Sequence, residues 1–137
     1  DSINDPGNLG TIIRTADWFG VKQVYCSLGS TDIFNAKSVQ STMGSIARVK
    51  VDYDSEENIF EKLKSNPIYV AEMNGQNVFD FKKEEPELTL VMGSESHGPS
   101  EFWKKNARAI TIPKKGKSEI ESLNVAQACA ILLSRLG

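Results

Sequence analysis

Three polar loops hold the residues of this 137-residue chain whose types and spacing could do chemistry. The first covers residues 4–8 and leads into a segment that carries Arg14 and Asp17. An arginine placed early in a helix can reach an anion gathered at the helix N-terminus. Asp17 lies about one helical turn away, so a surface ion pair is an alternative, and spacing alone favours that pair.

The second polar loop covers residues 93–100 and follows a mostly apolar segment. Its glycines allow a ligand to approach the backbone closely. Glu95 could bind hydroxyl groups, or it could cap the next helix. His97 is the only histidine of the chain, and because no Asp or Cys lies nearby it is weak evidence for catalysis.

The third loop begins at Ile112 and Pro113 and ends at Ser122 and Asn124, either of which could cap the last predicted helix. Capping alone does not explain the polar stretch before them. The chain has no Walker A motif, no GxGxxG after a strand, no cluster of metal ligands and no Ser-His-Asp set. These absences argue against the common nucleotide-binding, metal-dependent and hydrolase functions.

The elements that must position these loops alternate between strand and helix, which predicts an α/β domain with a mainly parallel sheet. In such sheets ligands bind outside the carboxyl ends of the strands, where the three loops are expected. Asn8 is expected to cap the first helix, which Gly20 ends, and residues 1–3 look like the end of a strand. Turns are expected at 4–8 and 74–75, strands at 21–27, 47–51, 68–71, 88–92 and 109–112, and helices at 35–43, 55–63 (capped by Ser55), 99–105 and 125–136.

Composition indicates a globular protein without a membrane anchor. Apolar residues make up 39% and charged residues 25%, and no apolar run approaches the ~20 residues of a membrane span. Cys26 and Cys129 lack metal-type spacing and are expected to be buried free thiols, which fits a cytoplasmic setting. The net charge is −2, but residues 99–117 carry six basic side chains and residues 52–61 five acidic ones. On charge alone, each run fits a solvated face as well as a binding surface.

Taken together, the loops resemble the three motifs of the SpoU (TrmH-like) family of RNA 2′-O-ribose methyltransferases, in the SPOUT class. The first motif stands as NLGTIIRTA at residues 8–16 and the second as MGSESHG at 92–98. The third stands as IP at 112–113 and SLNVAQA at 122–128. The motifs occur in the family's order and cover the chain nearly end to end.

The resemblance implies an α/β fold with a deep trefoil knot in its C-terminal part. It implies S-adenosylmethionine as cofactor, structured RNA as substrate, with rRNA favoured over tRNA, and a homodimer with the active site at the subunit interface. Residues 1–137 would form one catalytic domain, separated from an N-terminal RNA-binding domain. Neither a metal ion nor a membrane is implied.

The resemblance also assigns residues. The expected catalytic positions are Arg14, Asn8, Glu95, Ser122 and Asn124. The expected cofactor pocket, contacted largely through backbone groups, consists of Met92, Gly93, Ser94, Gly98, Ile112, Pro113, Ser122, Leu123 and Asn124. The expected RNA contacts are Arg14, Lys104, Lys105, Lys114 and Lys115.

An arginine is a poor base at neutral pH, because its guanidinium stays protonated. The mechanistic hypothesis is therefore that Arg14 acts as a cation, which grips the phosphate beside the target ribose and stabilises charge on the 2′-oxygen. Phosphate or solvent would take the proton. Asn8 and Glu95 would orient the ribose or Arg14, and Ser122 and Asn124 would shape the floor of the site.

Three other functions fit the sequence less well, because the chain has Arg14 and the pocket glycines, lacks a dinucleotide fingerprint and carries three polar loops. A non-catalytic RNA-binding or ribosome-assembly module on the same fold would be expected to lack Arg14 or the pocket glycines. An NAD-binding enzyme should show a glycine-rich fingerprint followed by an acid. A purely structural α/β domain would leave the three polar loops unexplained.

Overall fold

The computed structural model describes residues 1–137 and shows the alternation of strands and helices that the sequence predicts. Short 3₁₀ helices lie at Ser45–Ala47 and Val78–Asp80. The other elements, in chain order, are α1 (Pro6–Trp18), β1 (Gln23–Ser27), α2 (Ala36–Ser41), β2 (Lys50–Asp54), α3 (Glu56–Leu63), β3 (Ile68–Asn77), β4 (Thr89–Val91), α4 (Glu101–Asn106), β5 (Arg108–Thr111) and α5 (Val125–Leu136).

Every pairing between these strands is parallel, as the alternating pattern predicts. The strands form two groups, β1 with β2 and, separately, β3 between β4 and β5. In the second group Val70 lies opposite Val91 on one side and Ala109 on the other. The carboxyl ends of β4 and β5 therefore meet at one edge, where the second and third polar loops begin.

Helices cover both faces of the strands and bury two apolar clusters. The larger cluster joins α1 and α5 to the strands through residues such as Leu9, Ile13 and Leu132. The smaller one contains Ile59 of α3 and Trp103 of α4. Neighbouring residues of β3 point to different clusters, so this strand is buried on both faces, as parallel strands usually are. None of the helices combines the length and the apolar composition that a membrane crossing requires.

The packing of α1 against α2 fixes the helix that carries Arg14. A Cβ at Gly10 would lie 2.5 Å from Cβ of Ser41 and would also strike the carbonyl oxygen of Ser38. The two helices therefore touch at backbone distance, which only a residue without a side chain permits.

The predicted turn at residues 74–75 is wrong, because these residues continue β3. The register against β5 shifts between Ala71 and Gln76, which marks a bulge. A Cβ at Gly75 would lie 2.6 Å from the carbonyl carbon of Ala109. Glycine is here because two backbones approach closely, and not because the chain reverses.

Three other local predictions need correction. Asp5, and not Asn8, caps α1: its side chain accepts from the N–H of Asn8, and Pro6 takes the first helical position. The predicted strand at 47–51 begins later, at Lys50, because residues 45–47 form a 3₁₀ turn. Residues 1–3 are in no strand. The Ser55 cap and the bounds of α5 are confirmed.

Candidate functional site

The side chains of Asn8, Glu95 and Asn124 form one hydrogen-bonded line across the three polar loops. Nδ2 of Asn8 donates to Oε1 of Glu95 at 3.1 Å. Nδ2 of Asn124 donates to Oδ1 of Asn8 at 3.0 Å. Because each residue comes from a different loop, this line fixes the loops relative to one another.

Glu95 also holds the backbone of the first loop. Its carboxylate oxygens accept from the N–H groups of Asn4 and Asp5, each at 3.4 Å. The alternative that Glu95 caps the next helix is wrong, because Ser100 occupies the cap position of α4. The carboxylate therefore acts between loops.

The second loop is a closed turn with Glu95 near its tip. The N–H of Ser94 donates to the carbonyl of Gly98 at 3.0 Å, and the N–H of Gly98 returns a bond at 2.9 Å. Gly98 adopts φ +68° with open space beside it, and a Cβ at Gly93 would collide with the backbone of Gly98 and Pro99. Both glycines are therefore required by the turn itself.

Arg14 is exposed and makes no hydrogen bond or ion pair within the chain. Asp17, its alternative partner on spacing, is engaged elsewhere. Oδ2 of Asp17 accepts from Nη2 of Arg48 at 2.6 Å and from the hydroxyl of Ser45 at 2.8 Å. The hydrogen bonds from Arg48 and Ser45 hold the pKa of the Asp17 carboxyl below its usual range. The guanidinium of Arg14 is therefore free to bind an anion from solution.

The third loop offers unused backbone groups. Residues 113–123 form no backbone–backbone hydrogen bond, and Leu123 is 50% exposed. Oδ1 of Asn124 caps α5 by accepting from the N–H of Ala126 at 2.9 Å. Ser122 is exposed and makes no hydrogen bond within the chain, so it does not cap the helix.

The residues predicted to form a cofactor pocket lie in three environments. Met92, Gly93 and Ser94 are buried, Gly98, Ile112 and Pro113 are half-buried, and residues 122–124 are exposed. A cavity of about 600 Å³ lies elsewhere, between β1 and β4, and Met92 is the one member of the set that lines it. The exposed part of this set is therefore residues 122–124, at the end of the loop that forms no backbone–backbone hydrogen bonds.

Of the lysines predicted to contact RNA, three already contact other groups of the chain. Nζ of Lys104 lies 3.6 Å from Glu72 and 3.3 Å from Glu101, so its charge is shared with two carboxylates. The ammonium of Lys114 donates to the carbonyl of Ile120 at 2.7 Å. Lys115 lies over the ring of Phe79, 5.9 Å from its centroid, and Lys105 is exposed.

The roles of two acids of the site, Asp5 and Asp1, were not predicted from the sequence. Asp5 caps α1 and so sets the direction of the first loop; the Asp-Pro pair before the helix could have revealed it. Asp1 accepts from the N–H of Ser100 at 2.8 Å and from the hydroxyl of Ser27 at 3.1 Å. Nothing in the sequence signals that contact. His97 bonds the hydroxyl of Ser96 through Nδ1 at 2.7 Å and stays outside the Asn8–Glu95–Asn124 line.

Comparison with known proteins shows the family to which this chain belongs. A family model described as the SpoU rRNA Methylase family matches residues 1–134. The chain is 35% identical over 140 residues to the 23S rRNA (guanosine(2553)-2′-O)-methyltransferase RlmP of Bacillus subtilis, covering 99% of the chain and 55% of that protein. It is 31% identical over 143 residues to the 23S rRNA (uridine(2479)-2′-O)-methyltransferase of Streptomyces viridochromogenes, covering 97% and 49%.

Solved structures give the same result. A TrmH-family protein from Porphyromonas gingivalis superposes with a TM-score of 0.88 at 41% identity, over 99% of this chain and 56% of that one. The SpoU methyltransferase AviRb of Streptomyces viridochromogenes, in complex with AdoMet, gives 0.86 at 28% identity, over 97% and 55%. The chain thus spans about half the length of the relatives it matches.

Proposed function

Because this chain belongs to the SpoU rRNA methylase family, we propose that it transfers a methyl group from S-adenosylmethionine to a ribose 2′-hydroxyl of RNA. One observation carries the proposal. Arg14 is exposed and unpaired on the helix that the Asn8–Glu95–Asn124 line anchors, while the acid that could have neutralised it is bound to Arg48. A free guanidinium on the helix whose start is held by this line suits an anionic, hydroxyl-bearing substrate.

The loop residues fit a nucleoside cofactor. Apart from those of Ile120, which bond to the side chains of Lys114 and Ser118, the backbone groups of residues 113–123 are free to bind an adenine or ribose. Leu123 offers an exposed apolar surface, and space is open beside Gly98. We therefore assign cofactor binding to the predicted set in the second and third loops. When bound, S-adenosylmethionine supplies a methyl group on a positively charged sulfur.

The acceptor side depends on Arg14. Its guanidinium binds the phosphate next to the target ribose and stabilises negative charge that grows on the 2′-oxygen. Arginine stays protonated at neutral pH, so the proton passes to phosphate or solvent. The need for a 2′-hydroxyl makes RNA the substrate class and excludes DNA.

The polar line positions these groups. Glu95 fixes the loop from which α1 starts, and Asn8 and Asn124 keep that loop against the start of α5. Ser122 is exposed and makes no hydrogen bond within the chain, so its hydroxyl can contact substrate. Such a site accelerates the reaction mainly by holding both reactants in one geometry, because this removes the entropic cost of bringing them together.

Ribosomal RNA is the favoured substrate, since two of the relatives described above are 23S rRNA 2′-O-methyltransferases. A site shared between two copies of the chain is supported by Trp18, which is 85% exposed and lies one turn beyond Arg14. The C-terminal trefoil knot, a cytoplasmic location and a separate RNA-binding domain belong to the same proposal and rest on the family.

Calorimetric titration with S-adenosylhomocysteine, with NAD as control, tests cofactor binding. We expect one saturable site for S-adenosylhomocysteine and none for NAD. A Leu123→Glu variant, altered at an exposed position where folding is tolerant, should lose that binding. Transfer of a labelled methyl group to rRNA and tRNA fragments, each compared with a 2′-deoxy version, then tests the acceptor.

The results separate methyl transfer from its main alternative. A folded protein that binds RNA, does not bind S-adenosylhomocysteine and transfers no labelled methyl group to RNA would be a non-catalytic RNA-binding module. That result would refute the proposal. Methylation that persists on the 2′-deoxy fragment would refute the ribose as acceptor.

A further inference from the structure

Helix α1 lies beside α2 and the short 3₁₀ helix that follows it, and these segments run in the same direction. At one end, a Cβ at Gly7 would lie 3.3 Å from Cε of Lys37. In the middle, Gly10 touches α2 at backbone distance. At the other end, Asp17 accepts from the hydroxyl of Ser45 at 2.8 Å. The line where the two segments meet, from Lys37 to Ser45, is the α1–α2 seam.

Two cationic side chains stand in solvent along this seam. Arg14 lies on the same stripe of α1 as Gly10 and Asp17, because residues three or four positions apart share a helix face. It is exposed and makes no hydrogen bond or ion pair within the chain. The side chain of Lys37 is 63% exposed, and its Nζ lies 4.0 Å from Oδ2 of Asp5, beyond hydrogen-bonding distance. Both cations are therefore accessible to an anion.

The acids beside the seam leave most of this positive charge in place. Asp17, which shares the stripe with Arg14, pairs with Arg48 at 2.6 Å. Asp5 uses its Oδ1 to cap α1. The charge of Arg14 is thus uncompensated, and an anion on the seam would displace only the loose contact between Lys37 and Asp5.

The spacing of the two cations suits one strand of a nucleic acid. Gly7, which lies beside Lys37, and Arg14 are two helical turns apart, or about 10 Å along the axis of α1. One strand of a stacked nucleic acid carries a phosphate every ~3.4 Å along its axis. The seam from Lys37 to Arg14 therefore matches about three nucleotides.

An aromatic side chain stands at the Lys37 end of the seam. Phe34 lies just before α2 and is 76% exposed. Its N–H donates to Oδ1 of Asp32 at 2.9 Å, and the N–H of its buried neighbour Ile33 donates to the hydroxyl of Tyr53 at 2.8 Å. A single exposed aromatic residue is ordinary. On a fixed turn at the end of a line of cations, however, it forms the combination on which unpaired bases stack.

We propose that the α1–α2 seam binds a single-stranded segment of RNA next to the target nucleotide. Arg14 binds the phosphate beside the target ribose, and Lys37 binds a phosphate about three nucleotides along the strand. An unpaired base stacks on Phe34. This assignment rests on the proposed methyl transfer, which places the target ribose at Arg14. It adds that the target lies in a loop or another unpaired stretch, because bases within a duplex are not open to stacking on a side chain.

Binding of RNA in the absence of cofactor tests the seam. Fluorescence anisotropy would compare a labelled single-stranded RNA of about ten nucleotides with an RNA duplex of the same length. We expect the single strand to bind more tightly. Phe34→Leu keeps an apolar side chain but removes the ring, so it should weaken that binding by about tenfold, and Phe34→Tyr should retain it.

The salt dependence of binding tests the second cation. Lys37→Ala should lower the slope of log affinity against log salt by about 0.7, the share of one phosphate contact on a single strand. Lys64→Ala, at the end of α3, is the matched control and should keep the original slope, since Lys64 is similarly exposed but lies off the seam. The melting temperatures should stay the same, because each altered side chain is exposed.

Four results would overturn the proposal: no binding of the single strand, tighter binding of the duplex, full affinity in Phe34→Leu, or an unchanged slope in Lys37→Ala. None of these results bears on the binding of S-adenosylhomocysteine, which tests the methyl transfer separately. Conversely, a protein that shows all the expected RNA effects but binds no S-adenosylhomocysteine would refute the methyl transfer and keep the seam as an RNA-binding surface.

Discussion

Asn8 donates a hydrogen bond through Nδ2 to Oε1 of Glu95 at 3.1 Å, although 87 residues separate them along the chain. The same carboxylate accepts from two backbone N–H groups of the first loop. The Glu95 carboxylate therefore holds the backbone of the loop that leads into α1 and the side chain of Asn8 in the first turn of that helix. Removing its charge should disturb the position of the loop more than the stability of the fold, because the residue is exposed.

Replacing Glu95 by Gln should lower the rate of methyl transfer by about 10- to 100-fold, the expected cost of losing hydrogen bonds to a charged group. Gln keeps the size of the side chain but has one oxygen for three donors. Steady-state kinetics on an RNA fragment measures the effect. Glu101→Gln, on the exposed side of α4, is the matched control and should keep the original rate. An unchanged rate in Glu95→Gln would show that the carboxylate has no positioning role.

Replacing Arg14 by Ala should lower methyl transfer by about 100-fold or more, because it removes the cation proposed to stabilise the 2′-oxygen. The melting temperature should stay the same, since Arg14 is exposed and unpaired. Arg14→Lys should recover only part of the rate, as it keeps the charge without the paired donors. Arg108→Ala removes an exposed arginine outside the loops and serves as control. Full activity in Arg14→Ala would contradict the mechanism.

Alanine at Gly93 should destabilise the protein more than alanine at Gly98. At Gly98 there is open space, so the cost is that of a left-handed backbone, about 1–2 kcal/mol. At Gly93 the new methyl group meets the backbone of Gly98 and Pro99, which must move. Urea unfolding of both variants measures the difference. The reverse order of stabilities would show that the second loop is not closed as described.

The thiol of Cys129 should be nearly inert in the folded protein. Burial raises the pKa of Cys129 to about 12 and also raises the pKa of Cys26. Very little reactive thiolate is then present at pH 8. In a Cys26→Ser variant, which isolates Cys129, reaction with Ellman's reagent should be slow in buffer and rapid in guanidinium chloride. Fast reaction in both solutions would mean that this side of the core opens readily.

The stability contribution of Asp54 should be lost in acid. Hydrogen bonds from Lys62, Asn58 and the N–H of Ser55 lower the pKa of Asp54 to about 2. Because this pKa lies below that of an unfolded aspartate, about 3.9, the contribution is complete above about pH 5 and disappears as the pH falls through 2. The difference in free energy of unfolding between the protein and Asp54→Asn should therefore shrink from pH 7 to pH 2. A constant difference would contradict the pKa.

The sequence predicted those elements whose signals are local. Helix α5 and the Ser55 cap were predicted correctly because apolar spacing and capping residues lie within the segments themselves. The continuation of β3 through Gly75 was not, since it depends on the backbone of Ala109, 34 residues further along the chain. Asp17 likewise has its partner, Arg48, 31 residues away, and spacing within α1 pointed to Arg14 instead.

For the candidate site, the sequence indicated which loops to examine, because polar residues follow the predicted strands. It could not give the bonds between Asn8, Glu95 and Asn124, which depend on how β4, β5, α1 and α5 pack. The resemblance to a family named the residues, and the structure brings these three into contact. Arg14 and Ser122 remain outside the hydrogen-bonded line, with their side chains in solvent.

The bond between Asn124 and Asn8 joins residues 116 positions apart. During synthesis, every residue of the first two loops leaves the ribosome well before Asn124 does. An unfinished or clipped polypeptide that ends before residue 124 therefore carries Arg14 but cannot close the line that holds its loop. The arrangement of the first loop is therefore complete only after the start of the last helix has been made.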